Sequence, residues 1–542
     1  MRSLLFRVLP ICTLAILAFG AGIAVHKHKP FPYEPAVKWL KNLLSQKARY
    51  NRDPDAVKSS QYSQISGEAS FTREIDTALL PLQARGIKLN GIYDFPKSGG
   101  GIAVVGDLLV IADWMGGLYL LENGKVKKCK FPNIPNNVDE LIKHSPPLTR
   151  GFRVHDIEYI KSERALAISH EAYDRAHSST YLAVSVISIN EQTLNPTSDW
   201  RTIYRGDILK SIRYSGIAGG GRLLVKAADK LLLTTGDYNQ DNVMEASQKV
   251  SQDPISSLGK IVEIDLRADK FRVVSLGHRN PQGLMVTRSG DLYSTEHGPA
   301  GGDELNHVVE GSNYGWPDVT LGTDYGTYDW PNQQFAGEHL GFNIPIFAWV
   351  PSIGVSNIIQ IENFNRRWDG DFLVASLKAS TLYRLRMNNG RVVYSEPIWI
   401  GDRIRDLAQF VDGTIVLWTD DSKLLLLRPN QDKLAANKRA LDINAPPIMA
   451  SCMSCHHLGP TDPTHLAPTL TGLMGRRVAS DDFAKYSPGL SKLGGLWTRD
   501  RLTAYLANPE SIASGTSMPK LDISADQIDR IVQFLETEVA GR

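Results

Sequence analysis

The sequence predicts a mainly β protein: a six-bladed β-propeller, with an all-α domain after it and an apolar helix before it. Three observations support this. Between about 86 and 430, short apolar runs alternate with Gly, Asp and Asn turns and no long helical pattern intervenes. The last hundred or so residues change to helical spacing, and residues 8–25 form an unbroken apolar run. A chain of 542 residues is also too long for one ordinary core, so several domains are expected.

A strand–turn–strand unit recurs six times in the β region, which is the sequence pattern of propeller blades. The units are 108–111 with 118–121, 165–168 with 183–186, 231–234 with 260–264, 291–293 with 304–308, 372–375 with 382–385, and 414–417 with 424–427. Their spacing is uneven, and this leaves a pair of irregular β-sandwiches as the alternative.

The C-terminal region carries Cys452-Met453-Ser454-Cys455-His456. Two thiols three residues apart, followed at once by a histidine, are what covalent haem attachment needs. About sixty residues later, Gly515-Thr516-Ser517-Met518-Pro519 offers Met518 as a second axial ligand. The alternative is a CxxC used for redox work or for zinc, but a zinc site needs two further ligands and only His457 and His465 are near.

Helical signals surround this motif. Trp497-Thr498 opens a run from Leu502 to Leu506 that Asn508-Pro509 closes, and a last helix is expected from Ser524 to Val539. Its buried face should carry Ile528, Ile531, Val532 and Leu535.

The segment from about 446 to 542 resembles class I cytochrome c. The resemblance implies that Cys452 and Cys455 hold one covalent haem c, with His456 and Met518 as axial ligands of its iron. A His/Met pair raises the reduction potential, which suits an electron carrier.

Composition narrows the remaining possibilities. A net charge of +2 gives no electrostatic case for binding nucleic acid, and Cys129, isolated in the β region, is expected to be an inert thiol.

Residues 8–25 lie between basic residues on both sides, as in an export signal, and we expect a membrane anchor slightly more than a cleaved signal. Bacterial c-type haem is attached outside the cytoplasm. A periplasmic location, with or without attachment to the inner membrane, therefore agrees with both the N-terminal segment and the haem-attachment motif.

These observations divide the chain into five parts. They are 1–25 (signal or anchor), 26–85 (linker or helical extension), 86–430 (propeller), 431–447 (tether) and 448–542 (haem domain). A flexible tether of this length spans roughly 20–25 Å on average, which would keep the haem domain near the propeller.

Four polar clusters interrupt the β region, and they supply Arg279, Lys378, Arg403 and Arg405. A propeller brings the starts of its inner strands to one end of a central channel, so these charges are expected to converge on a polyanionic ligand. The alternative for each of them is a solvated charge in a turn.

The clusters, above all 274–317, are similar to those of the soluble quinoprotein glucose/sorbosone dehydrogenase family, which uses pyrroloquinoline quinone (PQQ). The resemblance implies that Arg279, Asn280 and Gln282 hold the quinone edge, with Arg279 polarising the carbonyl that receives hydride. It further implies that Lys378, Arg403 and Arg405 bind the carboxylates of PQQ.

The same resemblance implies a calcium ion beside PQQ, bound by the backbone carbonyls of Gly298 and Pro299. Glu304 with its neighbour Asp303 would serve a second, structural calcium. The alternative for these two acids is an ordinary surface turn.

The family's catalytic base is a histidine in a sequence like G-F-A-F-H-P, which best matches Gly151-Phe152-Arg153-Val154-His155-Asp156. His155 is therefore the candidate base. The family's proline is absent here, and a shifted alignment would place Ile160 at the position of the base, in which case His155 would be a hydrogen-bonded structural histidine. A second departure from the family pattern is Ala218-Gly219-Gly220 before Gly221-Arg222-Leu223, where the family often carries a histidine.

The expected function is an exported PQQ dehydrogenase that oxidises a sugar, polyol or aldose-type substrate and passes electrons to its own haem c and then to an external redox partner. One alternative is a non-enzymatic propeller that binds a ligand or partner and carries an electron-transfer haem. A propeller lactonase is the other, and it would leave the haem motif unexplained.

Overall fold

Six antiparallel sheets form the larger part of the protein. The computed structural model describes residues 67–89, 99–122, 125–144, 152–241, 249–326, 328–330, 337–434, 448–453, 455–458, 466–481, 483 and 486–540. The predicted N-terminal apolar helix, the residues of 26–85 that precede 67, and most of the predicted tether lie outside these ranges.

Five of the sheets are four-stranded blades that follow one another along the chain. The first three contain β3 (Gly101–Val105), β4 (Leu108–Ala112), β5 (Leu118–Glu122) and β6 (Lys125–Lys128); β7 (Val154–Ile160), β8 (Ala165–Asp174), β9 (Ser179–Ser188) and β10 (Arg201–Arg205); and β11 (Gly220–Ala227), β12 (Lys230–Thr235), β13 (Lys260–Asp265) and β14 (Lys270–Leu276). The next two contain β15 (Pro281–Val286), β16 (Leu292–Glu296), β17 (Asp303–Val308) and β18 (Phe347–Trp349); and β19 (Val355–Gln360), β20 (Phe372–Ser376), β21 (Thr381–Asn388) and β22 (Arg391–Trp399).

The sixth sheet joins strands from the two ends of the propeller. It has the order β1-β2-β25-β24-β23 and contains β1 (Gly67–Ile75), β2 (Leu82–Leu89), β23 (Ile404–Gln409), β24 (Ile415–Thr419) and β25 (Lys423–Pro429). β2 pairs with β25 in antiparallel register from Leu82↔Pro429 to Lys88↔Lys423. This pairing closes the ring, because the backbone groups at the edge of β25 are satisfied by an N-terminal strand.

The predicted six-bladed propeller is confirmed, and each of the six predicted strand pairs is the second and third strand of a blade. The linker or helical extension expected over 26–85 is wrong for the part that the structure describes. Those residues contribute β1 and the first half of β2 to the sixth blade. The alternation of buried and exposed residues in β2 is that of a strand with one covered face.

Six of the hydrophobic clusters among the described residues lie between neighbouring blades, one for each pair. Leu118 of the first blade packs near Leu166 of the second, and Ile87 of the sixth packs in one cluster with Leu109 of the first. The other clusters join the remaining neighbours in the same way. The first strands form the inner ring, since β3, β7, β11, β15, β19 and β23 contact one another in that cyclic order.

A buried ionic network links all six inner strands at the centre of this ring. Arg222 on β11 donates through Nη1 to Asp156 on β7 (2.7 Å) and to Asp406 on β23 (2.8 Å). The same arginine donates through Nε to the carbonyl of Gln282 on β15. Asp406 also accepts from the Ile102 amide on β3 and from Asn357 on β19. One arginine and two carboxylates therefore fix the register of the blades around the axis.

The described helices are short except at the C-terminus. They are Val138–His144 and the 3₁₀ turn Ile212–Tyr214 in propeller loops, then Met449–Cys452, Pro488–Leu493, Arg499–Ala507, Pro509–Ile512 and Ala525–Ala540. Thr498 caps Arg499–Ala507 by accepting from the Arg501 amide, as the sequence predicted. Ile528, Ile531, Val532 and Leu535 are buried, so the predicted face of the last helix is confirmed. None of the described helices combines the length and the apolar character that a membrane span requires.

Candidate active site and haem pocket

A cavity of about 250 Å³ opens on the propeller above the Arg222 network. Its described lining contains four arginines, two histidines and five small residues (glycine or alanine), and it contains no aspartate or glutamate. The lining residues are Gly99, Arg153, His155, Gly216, Ala218, Gly219, Gly220, Arg222, Asn280, Gln282, His297, Leu377, Arg403 and Arg405. A cavity with this lining has a positive potential, and it is suited to a ligand that carries several negative charges.

Two of the four predicted cations reach this cavity. Arg405 is nearly buried and donates to Asp420 through Nε (2.9 Å) and Nη2 (3.1 Å), while Arg403 donates to the same carboxylate through Nε (2.9 Å). Burial opposes ionisation of Asp420, but Arg405 and Arg403 together hold its pKa below the usual value. Asp420 therefore fixes both guanidinium groups in place. It lies just after β24, in a turn whose local sequence does not indicate this role.

Lys378 and Arg279 do not line the cavity. The Lys378 side chain is exposed. Arg279 lies over the ring of Trp316, 5.4 Å from its centroid, and donates through Nη1 to the carbonyl of Gly298 (2.9 Å). Trp316 in turn donates to Asp237, whose pKa is raised to about 7 by burial although Arg279 opposes the shift.

Asn280 and Gln282 do line the cavity, as predicted. Asn280 Oδ1 accepts from the Gly220 amide (3.1 Å) and from Gln282 Nε2 (2.9 Å). These bonds join the start of β15 to the glycine turn that precedes Arg222, so two neighbouring blades hold the amide side chains in a fixed orientation.

His155 lies at the cavity wall, and its ring is held by a buried acid. His155 Nε2 is 3.0 Å from Glu171 Oε1, and Tyr238 donates its hydroxyl to the same oxygen at 2.9 Å. The Glu171 side chain is fully buried. Glu171 comes next to His155 because β7 and β8 pair with His170 opposite Val154. Burial lowers the pKa of His155, and Glu171 opposes this only in part, so the imidazole is neutral at pH 7.

The glycines opposite His155 are required by close packing. At Gly221, where φ is +95°, a Cβ would lie 2.3 Å from His155 Cβ, and at Gly219 a Cβ would lie 2.9 Å from its Cε1. The glycine run that departs from the family pattern is therefore the surface against which the imidazole packs.

The acids expected to bind calcium have other partners. Asp303 is buried, and its two oxygens accept from the amides of Gly298, Ile353, Gly354 and Val355. Because Asp303 is buried, the alternative of a surface turn is wrong, and its assignment to a calcium site with Glu304 stays a prediction. Its carboxylate anchors the loop that enters β19.

Glu304 is also buried, opposite Glu296 in the β16–β17 register. Burial first and Glu296 second raise the pKa of Glu304 to about 8, so it is largely protonated at neutral pH. Among the described residues no group of three or more His, Cys, Asp or Glu side chains has metal-binding geometry. The Gly298 carbonyl accepts from the Arg279 guanidinium, so a calcium ion there would share this oxygen with a second cation. The calcium assignments at Gly298, Pro299 and Glu304 stay predictions.

The haem motif faces a separate cavity of about 270 Å³ in the C-terminal helices. Cys452, Cys455, His456 and Met518 all line it, together with mainly apolar residues that include Leu470, Trp497 and Leu535. His456 Nδ1 lies 2.8 Å from the Pro468 carbonyl. A hydrogen on Nδ1 leaves Nε2 as the nitrogen that can bind iron, which is how second partners orient metal-binding histidines. The four residues therefore fit a covalent haem with His/Met ligation.

Cys129 is partly buried in the cluster between the first two blades, and burial raises the pKa of its thiol to about 11. A thiol with so high a pKa is unreactive at neutral pH, in agreement with the sequence prediction.

Comparisons with known proteins agree with this division of the chain. Residues 160–428 match the Glucose / Sorbosone dehydrogenase family model. The aldose sugar dehydrogenase YliI of Escherichia coli (strain K12) is 30% identical over 254 residues, which are 43% of this chain and 65% of that protein. A cytochrome c homolog of Rickettsia conorii is 44% identical over 97 residues of the C-terminal region, which are 18% of this chain and 55% of that protein.

The chain thus spans less than two thirds of the length of either curated relative. The crystal structure of the soluble aldose sugar dehydrogenase of Escherichia coli in the apo-form superposes with a TM-score of 0.51 at 23% identity and covers 61% of this chain and 97% of that one, which supports the fold. The propeller of this protein is therefore similar to the Glucose / Sorbosone dehydrogenase family, and it is joined in one chain to a C-terminal region similar to cytochrome c.

Proposed function

We propose that this protein is a PQQ-dependent dehydrogenase that oxidises a sugar-like or polyol substrate and delivers the electrons to a haem c on the same chain. The observation that carries the proposal is a cavity whose described lining contains four arginines and no acid, with His155 in its wall and Glu171 bonded behind it. PQQ carries three carboxylates, which such a lining would bind.

Arg403 and Arg405 are the residues best placed to hold the cofactor's carboxylates. Asp420 keeps both guanidinium groups at the cavity, and bonding to that one carboxylate leaves further N–H donors on each arginine. Asn280 and Gln282 would contact the same ligand from the adjacent wall. When bound, PQQ supplies a quinone that accepts two electrons and hydrogen from the substrate.

His155 would act as the base. With its Nε2 bonded to Glu171, Nδ1 is the nitrogen free to accept the proton of a substrate hydroxyl, and the lowered pKa keeps the ring neutral for that task. Glu171 is a positioning residue, because it orients the ring and stabilises the imidazolium that forms. Tyr238, which shares the same carboxylate oxygen, limits how far Glu171 can turn.

Cys452 and Cys455 would hold the haem covalently, with His456 and Met518 as its axial ligands. Haem accepts one electron at a time, so two transfers per substrate and an external redox partner are required. We also propose export to the periplasm, with residues 8–25 as signal or anchor, because c-type haem is attached there in bacteria.

A second candidate is a propeller that binds a ligand without oxidising it. The observation that favours it is Arg279, which bonds to the Gly298 carbonyl and does not reach the cavity lining. For Arg279 to polarise a quinone oxygen, its side chain would have to leave that carbonyl.

Reconstitution distinguishes the two candidates. The haem-containing protein is mixed with PQQ and Ca²⁺ and then with a panel of aldoses and polyols, and the absorbance of reduced haem is followed. We expect reduction by at least one substrate, and we expect Arg279→Ala to abolish it while Arg272→Ala, in an exposed ion pair on β14, leaves it unchanged. PQQ binding without haem reduction by any substrate would instead support the binding propeller.

A further inference from the structure

Arg153 is the one arginine of the cavity for which the described residues provide no ion pair. Its Nε is sealed from solvent and has no hydrogen-bond partner in the described part of the chain, and no described carboxylate forms an ion pair with it. This differs from the other cavity arginines, since Arg403 and Arg405 share Asp420 and Arg222 has two aspartates.

The two acids that attract Arg153 already form hydrogen bonds with other residues. Glu171 and Asp420 attract Arg153 electrostatically, but Glu171 is bonded to His155 and Tyr238, and Asp420 is bonded to the two arginines of β23. Burial and then repulsion from Arg405 lower the pKa of Arg153 to about 10, which still leaves it charged at neutral pH. A buried charge without a partner is costly, and an anionic ligand would remove that cost.

Arg153 lies close in sequence to His155, the residue proposed to accept the proton of the substrate hydroxyl. It stands two residues before His155, and alternate residues of an extended chain face the same way, so both side chains line the cavity. The wall beside them is made of small residues, Gly99, Gly216, Ala218 and Gly219, which leave room for a substituent. The family pattern G-F-A-F-H-P has alanine where this chain has Arg153, so this charge is an addition to the basic set that the resemblance implies.

We propose that Arg153 is a specificity-determining residue that binds an anionic group of the substrate, so that the preferred substrates are sugars bearing a carboxylate or a phosphate. This inference rests on the proposed function for the oxidation step, but the binding of an anionic sugar can be measured separately. A guanidinium binds carboxylate and phosphate oxygens through the same pair of N–H donors, and those two sources are distinguished by the probes below.

The test uses the full-length protein loaded with haem and measures the dissociation constants of D-glucuronate, D-glucose 6-phosphate and D-glucose by calorimetry, with and without PQQ. We expect at least one of the two anions to bind more tightly than D-glucose. Arg153→Met, which keeps the volume but removes the charge, should weaken that anion by about tenfold to a hundredfold and leave D-glucose unchanged. Arg153→Lys should retain part of the preference, and Arg175→Ala, an exposed arginine of the same blade, should retain all of it.

Equal affinity of the wild-type protein for all three sugars would overturn the inference without recourse to any variant. A loss of PQQ affinity in Arg153→Met with no change in sugar discrimination would also overturn it, because Arg153 would then serve the cofactor. If the wild-type protein binds an anionic sugar through Arg153 but reduces no haem with any substrate, the proposed function fails while the binding site stands.

Discussion

The two cavities of this protein are nearly equal in size, about 250 and about 270 Å³, but opposite in chemistry. The propeller cavity is lined by four arginines, whereas the only charged residue among the described lining of the C-terminal cavity is Arg476. A haem held by two covalent bonds needs an apolar surrounding and local ligands. A ligand held without covalent bonds needs charge, and the propeller supplies that charge from three blades.

This difference decides what a substitution should do. A change in the propeller cavity should alter turnover or blade packing and leave the haem spectrum intact. A change at the haem ligands should alter the potential and leave ligand binding by the propeller intact. The four predictions below test this separation, from the largest expected effect to the smallest.

Replacing His155 with alanine should lower kcat/KM for substrate-driven haem reduction by about a hundredfold to ten-thousandfold, the usual contribution of a positioned general base. The haem spectrum should not change. His177→Ala, an exposed histidine of the same blade, is the control and should match the wild type. Because burial lowers the pKa of His155, the acid limb of the wild-type pH profile should lie below about pH 6.5. Full activity in His155→Ala would show that another group is the base.

Arg222→Ala should destabilise the propeller by about 3–5 kcal/mol, because it leaves Asp156 and Asp406 buried and uncompensated. Urea unfolding followed by tryptophan fluorescence measures this. Arg288→Ala, which removes an exposed pair with Glu362, should have no measurable effect. Equal stability of the two variants would mean that the central network does not hold the blades together.

Met518→Ala should lower the reduction potential of the haem by on the order of a tenth of a volt, since axial ligands set haem potentials over roughly 0.8 V. Met474→Leu is the matched control, because Met474 packs in the same helical core but does not line the cavity. A redox titration measures both variants, and calorimetry should find PQQ binding unchanged in each. An unchanged potential in Met518→Ala would exclude Met518 as a ligand.

Glu304→Gln should change how stability depends on pH. The folded-state pKa of Glu304 is raised from 4.5 to about 8, so the folded state binds the proton more tightly than the unfolded state. Its contribution to stability is complete below pH 4.5 and is lost as pH rises through about 8. Thermal melts across this window should show the loss in the wild type and in the exposed control Glu310→Gln, but not in Glu304→Gln.

The same melts test the calcium prediction. If Ca²⁺ at pH 8 stabilises the wild type and not Glu304→Gln, the second calcium expected from the family resemblance is present. Identical pH dependence in all three proteins would show that Glu304 is ionised in the folded state.

The sequence predicts the residues of the haem region more completely than those of the propeller cavity. The candidate haem residues could be predicted because covalent attachment requires two cysteines and a histidine within five residues, and Met518 lies in the short run Gly515-Thr516-Ser517-Met518-Pro519. The middle strands of every blade were predictable because both of their faces are buried, as in Leu231–Leu233 and Leu424–Leu425. The inner strands were not, because their channel-facing positions carry polar residues such as Asp156, Arg222 and Asp406.

The partners that complete the propeller site were also missed. Glu171 lies on the strand next to His155 only because of the β7–β8 register, and Asp420 reaches Arg403 and Arg405 from the turn just after β24. An acidic residue inside the predicted strand that begins at Ala165 was the one signal that could have indicated Glu171. Pairing across strands is not encoded in local spacing, so such contacts emerge only from the fold.

The central claim is that electrons pass from the propeller cavity to the haem of the same chain. Stopped-flow measurement of haem reduction, after mixing the PQQ-loaded protein with an oxidisable sugar, tests it most directly when the protein concentration is varied over about a hundredfold range. We predict a first-order rate constant that does not depend on protein concentration, because the donor and the acceptor share one chain. A rate that rises in proportion to protein concentration, or an absence of reduction at every concentration, would contradict the account.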